Sequence, residues 1–314
     1  MQTTTTGAET LLSVCAGLKK GEKLLVASDR PVDQSLEVLI QRARDFRSSV
    51  MFEKISGSVT REPPANVSAK MLESDVVLFC VNEDRTLLWG HSDAKVATLS
   101  KGGRVLFLTQ SIDSTPDAMS LEIIGSRSNR MGDFLEKSSK VTLLTGDSSR
   151  LELKLAGRRA LRLSSIIQTR GSWGAVPDYA EAAVAPLENG SNGDFRVDGM
   201  IVGLGKATPP VDLHFENGRL TEISDSPLGR KFEEFLGKND SSARVLCELG
   251  FGTNHLRREI RGEFDDKKAL GSVHLAMGDN HTFGGVNRSS IHIDCLATRP
   301  GILIDDQPFD IMKF

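Results

Sequence analysis

The hydrophobic pattern of this chain changes period near residue 140, and that change limits its fold more than any other feature. Before it, segments of helical period (AETLLSVCAGLKK, QSLEVLIQRARDF, ANVSAKMLES, SDAKVATLSKGG) alternate with short apolar runs (EKLLVASD, SVMFEKI, DVVLFCVN, RVLFLTQ). An apolar stripe every three to four residues predicts a helix, and a short apolar run between turn residues predicts a buried strand. Strands alternating with helices imply βαβ units and a mainly parallel sheet. Gly21, the Pro63–Pro64 pair and the Gly102–Gly103 pair punctuate the units.

Beyond that point the punctuation is different. KVTLLTGD, RLELKLAGR, AVAPLENG, DFRVDGMIVG, PVDLHFENGRLTEI and GILIDD are short β-like segments. Asn189–Gly190, Asn192–Gly193, Asp198–Gly199 and Asn217–Gly218 supply tight-turn signals, because turns with positive φ favour Asn, Asp and Gly. One helical segment, LGRKFEEFLGK, interrupts them. The expectation is an α/β protein: an N-terminal βαβ domain over residues 1–155 and a mixed or antiparallel β-rich domain over 156–314, with no linker, repeat or low-complexity tract between them.

Composition excludes several classes. Apolar residues are 39% and charged residues 26% of the chain, which suits a globular core and not a disordered segment. A net charge of -3 speaks against a dedicated nucleic-acid binder. No apolar run reaches the ~18–20 residues of a membrane span, and the N-terminal stretch lacks the charged start and small-residue cleavage site of a signal peptide. Cys15, Cys80, Cys247 and Cys295 stand far apart and form no CxxC pair, so they read as small buried residues of a cytoplasmic protein. No GxGxxG and no GxxxxGK[ST] opens a helix, so a nucleotide cofactor is not expected.

The chemistry concentrates in the last third. Of six histidines, His255, His274, His281 and His292 fall within forty residues of one another. Imidazoles offer neutral nitrogen to zinc, cobalt or iron. In IHID, residues i and i+2 of a strand share a face, so His292 and Asp294 project together while Ile291 and Ile293 face a core. VLCELGFG sets Glu248, and VPDYAEAAVAP sets Glu181, among apolar residues, where a carboxylate needs a partner or a metal. His274 and His281 are seven apart, a spacing that does not by itself bring them together. His255, beside Arg257–Arg258, reads as a surface residue, and His91 and His214 as structural.

In order, KGGRVLFLTQ, LTGDSSRLELKLAGR, VPDYAEAAVAPLENGSNGDFRVDG, CELGFGTN, HLAMGDNHTFGG and IHID resemble the motif series of the aminopeptidase T family of metallopeptidases, and especially its shorter leucyl aminopeptidase-like relatives. The resemblance covers about residues 100–305. More remotely the chain is similar to 2,5-dihydroxypyridine 5,6-dioxygenase, a non-haem iron enzyme of the same superfamily. The first resemblance implies a divalent metal centre of one or two zinc, cobalt or manganese ions. Glu181 and Glu248 match its metal-binding glutamates, His274 the histidine of its H-I-A-L-G stretch, and His292 and Asp294 its closing H-x-D, with the aspartate bridging. Position 281 is tyrosine in those peptidases, so His281 is a departure, placed here as a further ligand and catalytic group. The dioxygenase comparison implies iron held by two histidines and an aspartate, with Glu248 where one of those histidines falls. A shifted triad of His281, His292 and Asp294 is then a second possible set.

The resulting expectation is a metal-dependent hydrolase of amide or peptide-like bonds, with Glu181 or Glu248 as general base. The alternatives are a mononuclear iron dioxygenase on a small aromatic and a catalytically degenerate binding protein of the same fold. The partners implied are a small peptide or small molecule and a second copy of the chain in a homodimer, not nucleic acid or membrane.

Overall fold

The computed structural model describes residues 3–176, 180–257 and 259–314. Residues 177–179, within VPDYAEAAVAP, and Arg258 of the basic pair lie outside them. The chain divides into two compact units, Met1–Gly125 with Leu163–Tyr179, and Ser126–Arg162 with Ala180–Phe314. The single cut expected at residue 155 is therefore corrected. The hairpin after residue 140 is an excursion into the second unit, and the chain then returns to complete the first sheet.

In the first unit, helices α1 (Thr4–Glu9), α2 (Gln34–Asp45), α3 (Ala65–Glu73), α4 (Glu83–Trp89) and α5 (Asp93–Ser100) accompany strands β1 (Lys23–Ser28), β2 (Ser49–Lys54), β3 (Val76–Cys80) and β4 (Arg104–Leu108). The segment Thr10–Cys15 continues α1 as a π-helix. A long helix, α6 (Ala118–Lys137), then runs from the first unit into the second. The second unit receives β5 (Lys140–Thr145) and β6 (Ser149–Lys154), followed by β7 (Ala160–Leu163), and β8 (Trp173–Val176) rejoins the first. All pairs in the first sheet are parallel, in the order β2-β1-β3-β4-β8. β1, β3 and β4 are buried almost throughout, as a sheet covered on both faces requires. Helix starts follow the sequence: Asp33, Asn82 and Ser92 each accept a backbone N–H as N-caps.

The rest of the second unit is β9 (Glu181–Val184), β10 (Ser191–Val197), β11 (Met200–Ile201), β12 (Gly205–Lys206), β13 (Val211–Glu216), β14 (Arg219–Ile223), α7 (Pro227–Gly237), β15 (Leu246–Gly252), β16 (Val273–Gly278), β17 (His292–Ala297), β18 (Gly301–Ile304) and β19 (Gln307–Phe309). Among the described residues they make two sheets, β14-β13-β10-β6-β5-β18-β19 and β12-β11-β17-β16-β15-β9-β7. Every strand pairing recorded in them is antiparallel. Asn217 and Gly218 have φ of 48° and 73°, the paired positive values of the hairpin turn that their sequence signals.

One core joins the two sheets. Leu143, Leu151, Leu153, Phe195, Leu213 and Phe215 from the first pack with Val184, Leu249, Phe251, Leu275, Met277 and Ile293 from the second. No helix of the described residues is long and apolar enough to cross a membrane. α6 escaped the sequence reading because Gly125 and Gly132 and many polar residues blur its period. A Cβ at Gly132 would sit 2.5 Å from the Arg162 side chain, which would have to move aside.

The first unit also buries a lysine that pairs with no carboxylate among the described residues. Lys95 is 3% exposed, donates to the Gly90 carbonyl, and holds its Nζ 3.8 Å from the Trp173 ring centroid. Burial lowers its pKa from 10.5 to about 7. Between those two values the unfolded chain binds this proton and the folded chain does not, so stability rises with pH across that window and is level below it. Lys95→Met is expected to be more stable than wild type at neutral pH and to lose that share of the rise. Urea unfolding of both proteins between pH 7 and pH 10 measures the difference, and parallel pH profiles would contradict it.

Candidate metal centre

β9, β15, β16 and β17 are neighbours in one sheet, and the period-two rule decides what each presents. Ala182, Val184, Leu249, Phe251, Val273, Leu275, Met277, Ile293 and Cys295 enter the core. The alternate positions are Glu181 on β9, Glu248 on β15, His274 on β16, and His292 and Asp294 on β17. These five share the opposite face, and none is more than 9% exposed. The register sets a small residue across from each: Gly252 pairs with Glu181, Ala276 with Glu248 and Asp294, Gly250 with His274, and Gly278 with His292. At Gly250 the choice is forced, because a Cβ there would lie 2.2 Å from the His274 ring.

The donor atoms converge. His274 Nε2 lies 3.2 Å from Glu248 Oε1 and 3.3 Å from Glu181 Oε2. His292 Nε2 lies 3.2 Å from Glu248 Oε2 and 3.6 Å from Asp294 Oδ1, and His274 Nε2 is 3.9 Å from that same Oδ1. Glu181, Glu248 and His274 form one group of donors within 4.8 Å of one another, and Glu248, His292 and Asp294 form a second, so Glu248 belongs to both. Metal–ligand bonds near 2.0–2.2 Å place neighbouring ligand atoms about 3.0–3.6 Å apart, which matches most of these spacings.

Hydrogen bonding points to a cation here. His292 Nδ1 is 2.9 Å from the Asp279 carbonyl oxygen, a pure acceptor, so Nδ1 carries the proton. Nε2 then faces two carboxylate oxygens, an arrangement that needs a proton on Nε2 or a cation between them. Asp294 Oδ1 is buried and has no hydrogen bond among the described residues. Burial works against ionising Glu248 and Asp294. His274 and His292 nevertheless hold Glu248 well below the usual carboxylate range, and Lys267 and His292 do the same for Asp294. Burial likewise opposes charge on His292, yet Cys247, Asp294 and Glu248 push its pKa well above the usual value. The donor set on this face fits a divalent metal.

Two cations complete the centre. The short 3-10 helix Phe264–Lys268 delivers Lys267 and Lys268, 4% and 0% exposed. Lys267 Nζ is 2.5 Å from Asp294 Oδ2, and Lys268 Nζ pairs with Glu181 Oε2. Burial draws the Lys268 pKa down, against the pull of Glu181. Asp266 anchors this turn by accepting from Arg257 and from the Gly262 and Glu263 amides. The sequence reading passed over both lysines, because a DDKK run ordinarily faces solvent. Here Asp265, Asp266, Lys267 and Lys268 are all buried.

His281, expected as a further ligand, stands apart from the two donor groups. Among the described residues neither donor group contains it, nor is the His281–His292–Asp294 triad formed. β16 ends at Gly278, whose φ of +112° turns the chain out of the sheet. His281 therefore lies in the following loop, with Nδ1 2.8 Å from the Asp279 carboxylate. Asp279 thus serves both rings, with its carboxylate on His281 and its carbonyl on His292. All four cysteines are free and buried, as expected. Cys247 Sγ also lies 3.6 Å from His292 Nδ1, a contact its sequence does not announce.

A family model described as 2,5-dihydroxypyridine 5,6-dioxygenase (NicX) matches residues 24–310. Among solved structures, the 2,5-dihydroxypyridine dioxygenase from Pseudomonas putida KT2440 is similar, with a TM-score of 0.80 at 15% identity over 98% of this chain and 96% of that one. Wild-type AmpT from Thermus thermophilus is similar with a TM-score of 0.66 at 15% identity over 98% and 97%. At that identity the two structures speak for the fold. No curated protein matches the sequence. The fold expected from the motifs is present in both structures, and the family matched is the one that the motifs placed further away.

The contact between Gly250 and His274 gives a direct test of the donor set. Gly250→Ala is expected to keep its fold by circular dichroism and to bind Mn²⁺ roughly 10- to 100-fold more weakly in calorimetry, the size of effect seen when a ligand ring loses its orientation. Unchanged affinity would remove His274 from the donor set.

Proposed function

The chain belongs to the 2,5-dihydroxypyridine 5,6-dioxygenase family, and on that premise we propose that it is a mononuclear non-haem iron enzyme that opens a small hydroxylated aromatic ring with dioxygen. The observation that carries this reading is the meeting of two imidazoles, His274 and His292, on the two oxygens of the single carboxylate Glu248. Two histidines and one carboxylate are the donor set of iron(II) oxygenases. Bound there, iron(II) would supply the dioxygen chemistry. Ring opening of this kind places both atoms of one O₂ in the product and draws its electrons from the substrate, so no separate reductant is needed.

The protein's own groups have distinct parts. His274, His292, Glu248 and Asp294 Oδ1 would hold the metal. The Asp279 carbonyl keeps His292 in the tautomer that turns Nε2 to the centre. The Phe283 ring stands 5.9 Å from the His292 ring, edge on, and gives the centre an apolar wall. His281, half-buried and held at Nδ1 by the Asp279 carboxylate, is assigned as the base that takes a proton from a substrate hydroxyl.

A hydrolytic reading has one observation of its own. Three carboxylates, Glu181, Glu248 and Asp294, surround the two imidazoles, a set that also suits water activation between two metals. Aminopeptidase-like cleavage of a small peptide would follow from it.

Two assays separate the readings. Protein loaded anaerobically with Fe²⁺ is expected to consume oxygen with a panel of dihydroxypyridines and catechols, one O₂ per ring lost. Release of nitroaniline from aminoacyl nitroanilides with Zn²⁺, Co²⁺ or Mn²⁺, without oxygen uptake on any aromatic, would replace the dioxygenase by the hydrolase. His281→Ala is expected to keep its full metal content and to lose roughly 10²- to 10⁴-fold in kcat, the usual contribution of a positioned base. Loss of metal in that variant would instead return His281 to the ligand set.

A further inference from the structure

We propose that the Lys268 ammonium occupies the place of a second divalent ion, so that this centre holds one. The inference rests on the metal-centre reading above and concerns how many ions the centre admits.

The donors are arranged as for two ions. Glu181, Glu248 and His274 could hold one, Glu248, His292 and Asp294 could hold another, and Glu248 would bridge them. The lysines treat the two groups differently. Lys268 pairs with Oε2 of Glu181, the same oxygen that faces His274 Nε2 at 3.3 Å. An ammonium thus already holds the Glu181 oxygen that an ion of that group would need, which leaves His274, 3.9 Å from Asp294 Oδ1, to the other ion. Lys267 instead takes Oδ2 of Asp294 and leaves Oδ1, which has no hydrogen bond among the described residues, turned toward His292 and His274. One lysine closes its group, and the other steadies a ligand while leaving its free oxygen to the ion.

Charge leads to the same count. The three carboxylates and two ammoniums of this buried set sum to one net negative charge. One dication brings the set to +1, and a second would bring it to +3. Uncompensated charge is what a buried site tolerates least. Without Lys268, two dications would leave +2, and an open position would be ready for the second.

The test is stoichiometry in wild type, Lys268→Met, Lys268→Gln and Lys268→Arg. Each apo protein is titrated with Mn²⁺ by calorimetry, with elemental analysis after desalting and electron paramagnetic resonance to detect coupled Mn²⁺ pairs. Wild type and Lys268→Arg are expected to bind one ion per chain with an uncoupled signal. Lys268→Met or Lys268→Gln, whichever folds, is expected to take up a second ion with a coupled-pair signal. Two ions in wild type would overturn the proposal whatever the variants do, as would a single ion in a folded Met or Gln variant. No ion in folded wild type or in any variant would bring down the metal-centre reading itself.

Discussion

Three carboxylates are buried side by side on one face of one sheet, and the second unit is built around what makes that tolerable. A buried carboxylate without a counter-charge is among the most destabilising features a fold can carry. Here Glu181, Glu248 and Asp294 are met by two imidazoles and two ammoniums, all of them buried. The opposite face of the same strands packs into the core that both sheets share. The alternation of a β-strand thus separates two incompatible demands by one residue, with Leu275 and Ile293 on the dry side and His274 and Asp294 on the charged one.

That division imposes conditions on the backbone. Side chains as large as imidazole can converge on a flat sheet only if their cross-strand neighbours are small, and the register supplies Gly250, Gly252, Gly278 and Ala276 at those places. The register shift between Leu246 and Glu248 re-aims β15 where Glu248 joins the cluster, a known use of an irregularity beside an active site. The loop after β16 then acts at a distance. Asp279 orients one ring through its carbonyl and another through its carboxylate, so a mobile-looking segment of the sequence is tied to the most buried part of the unit.

Much of this was legible in the sequence, and the part that was not has a physical reason. The change of period near residue 140 gave the parallel sheet and the antiparallel sheets. The i, i+2 rule placed His292 and Asp294 together, and burial cost marked Glu181 and Glu248. Local rules do not carry information on how far a chain travels between elements. That is why β8 returning to the first sheet, and His281 leaving the face of His274, went unread. Lys267 and Lys268 were invisible for a different reason. Their burial depends on carboxylates from β9 and β17, far off in sequence, and no local pattern distinguishes them from a solvated charge run.

The glutamate at position 248 looked, from sequence alone, like evidence against an iron site, because a histidine was expected there. The structure changes the weight of that argument. Adjacent antiparallel strands stand about 4.8 Å apart, and His274 on the neighbouring strand reaches across to bring Nε2 within 3.2 Å of Glu248 Oε1. A second imidazole is thus delivered to the cluster from β16 instead of β15, while Glu248 supplies the carboxylate. What matters to a metal is which atoms converge, not which strand carries them. A face with adjacent strands of alternating residues can therefore bring two imidazoles to one carboxylate from different strands. The charges around such a cluster matter as much as any single donor, and the buried Lys267 and Lys268 ammoniums, paired with Asp294 and Glu181, are part of them.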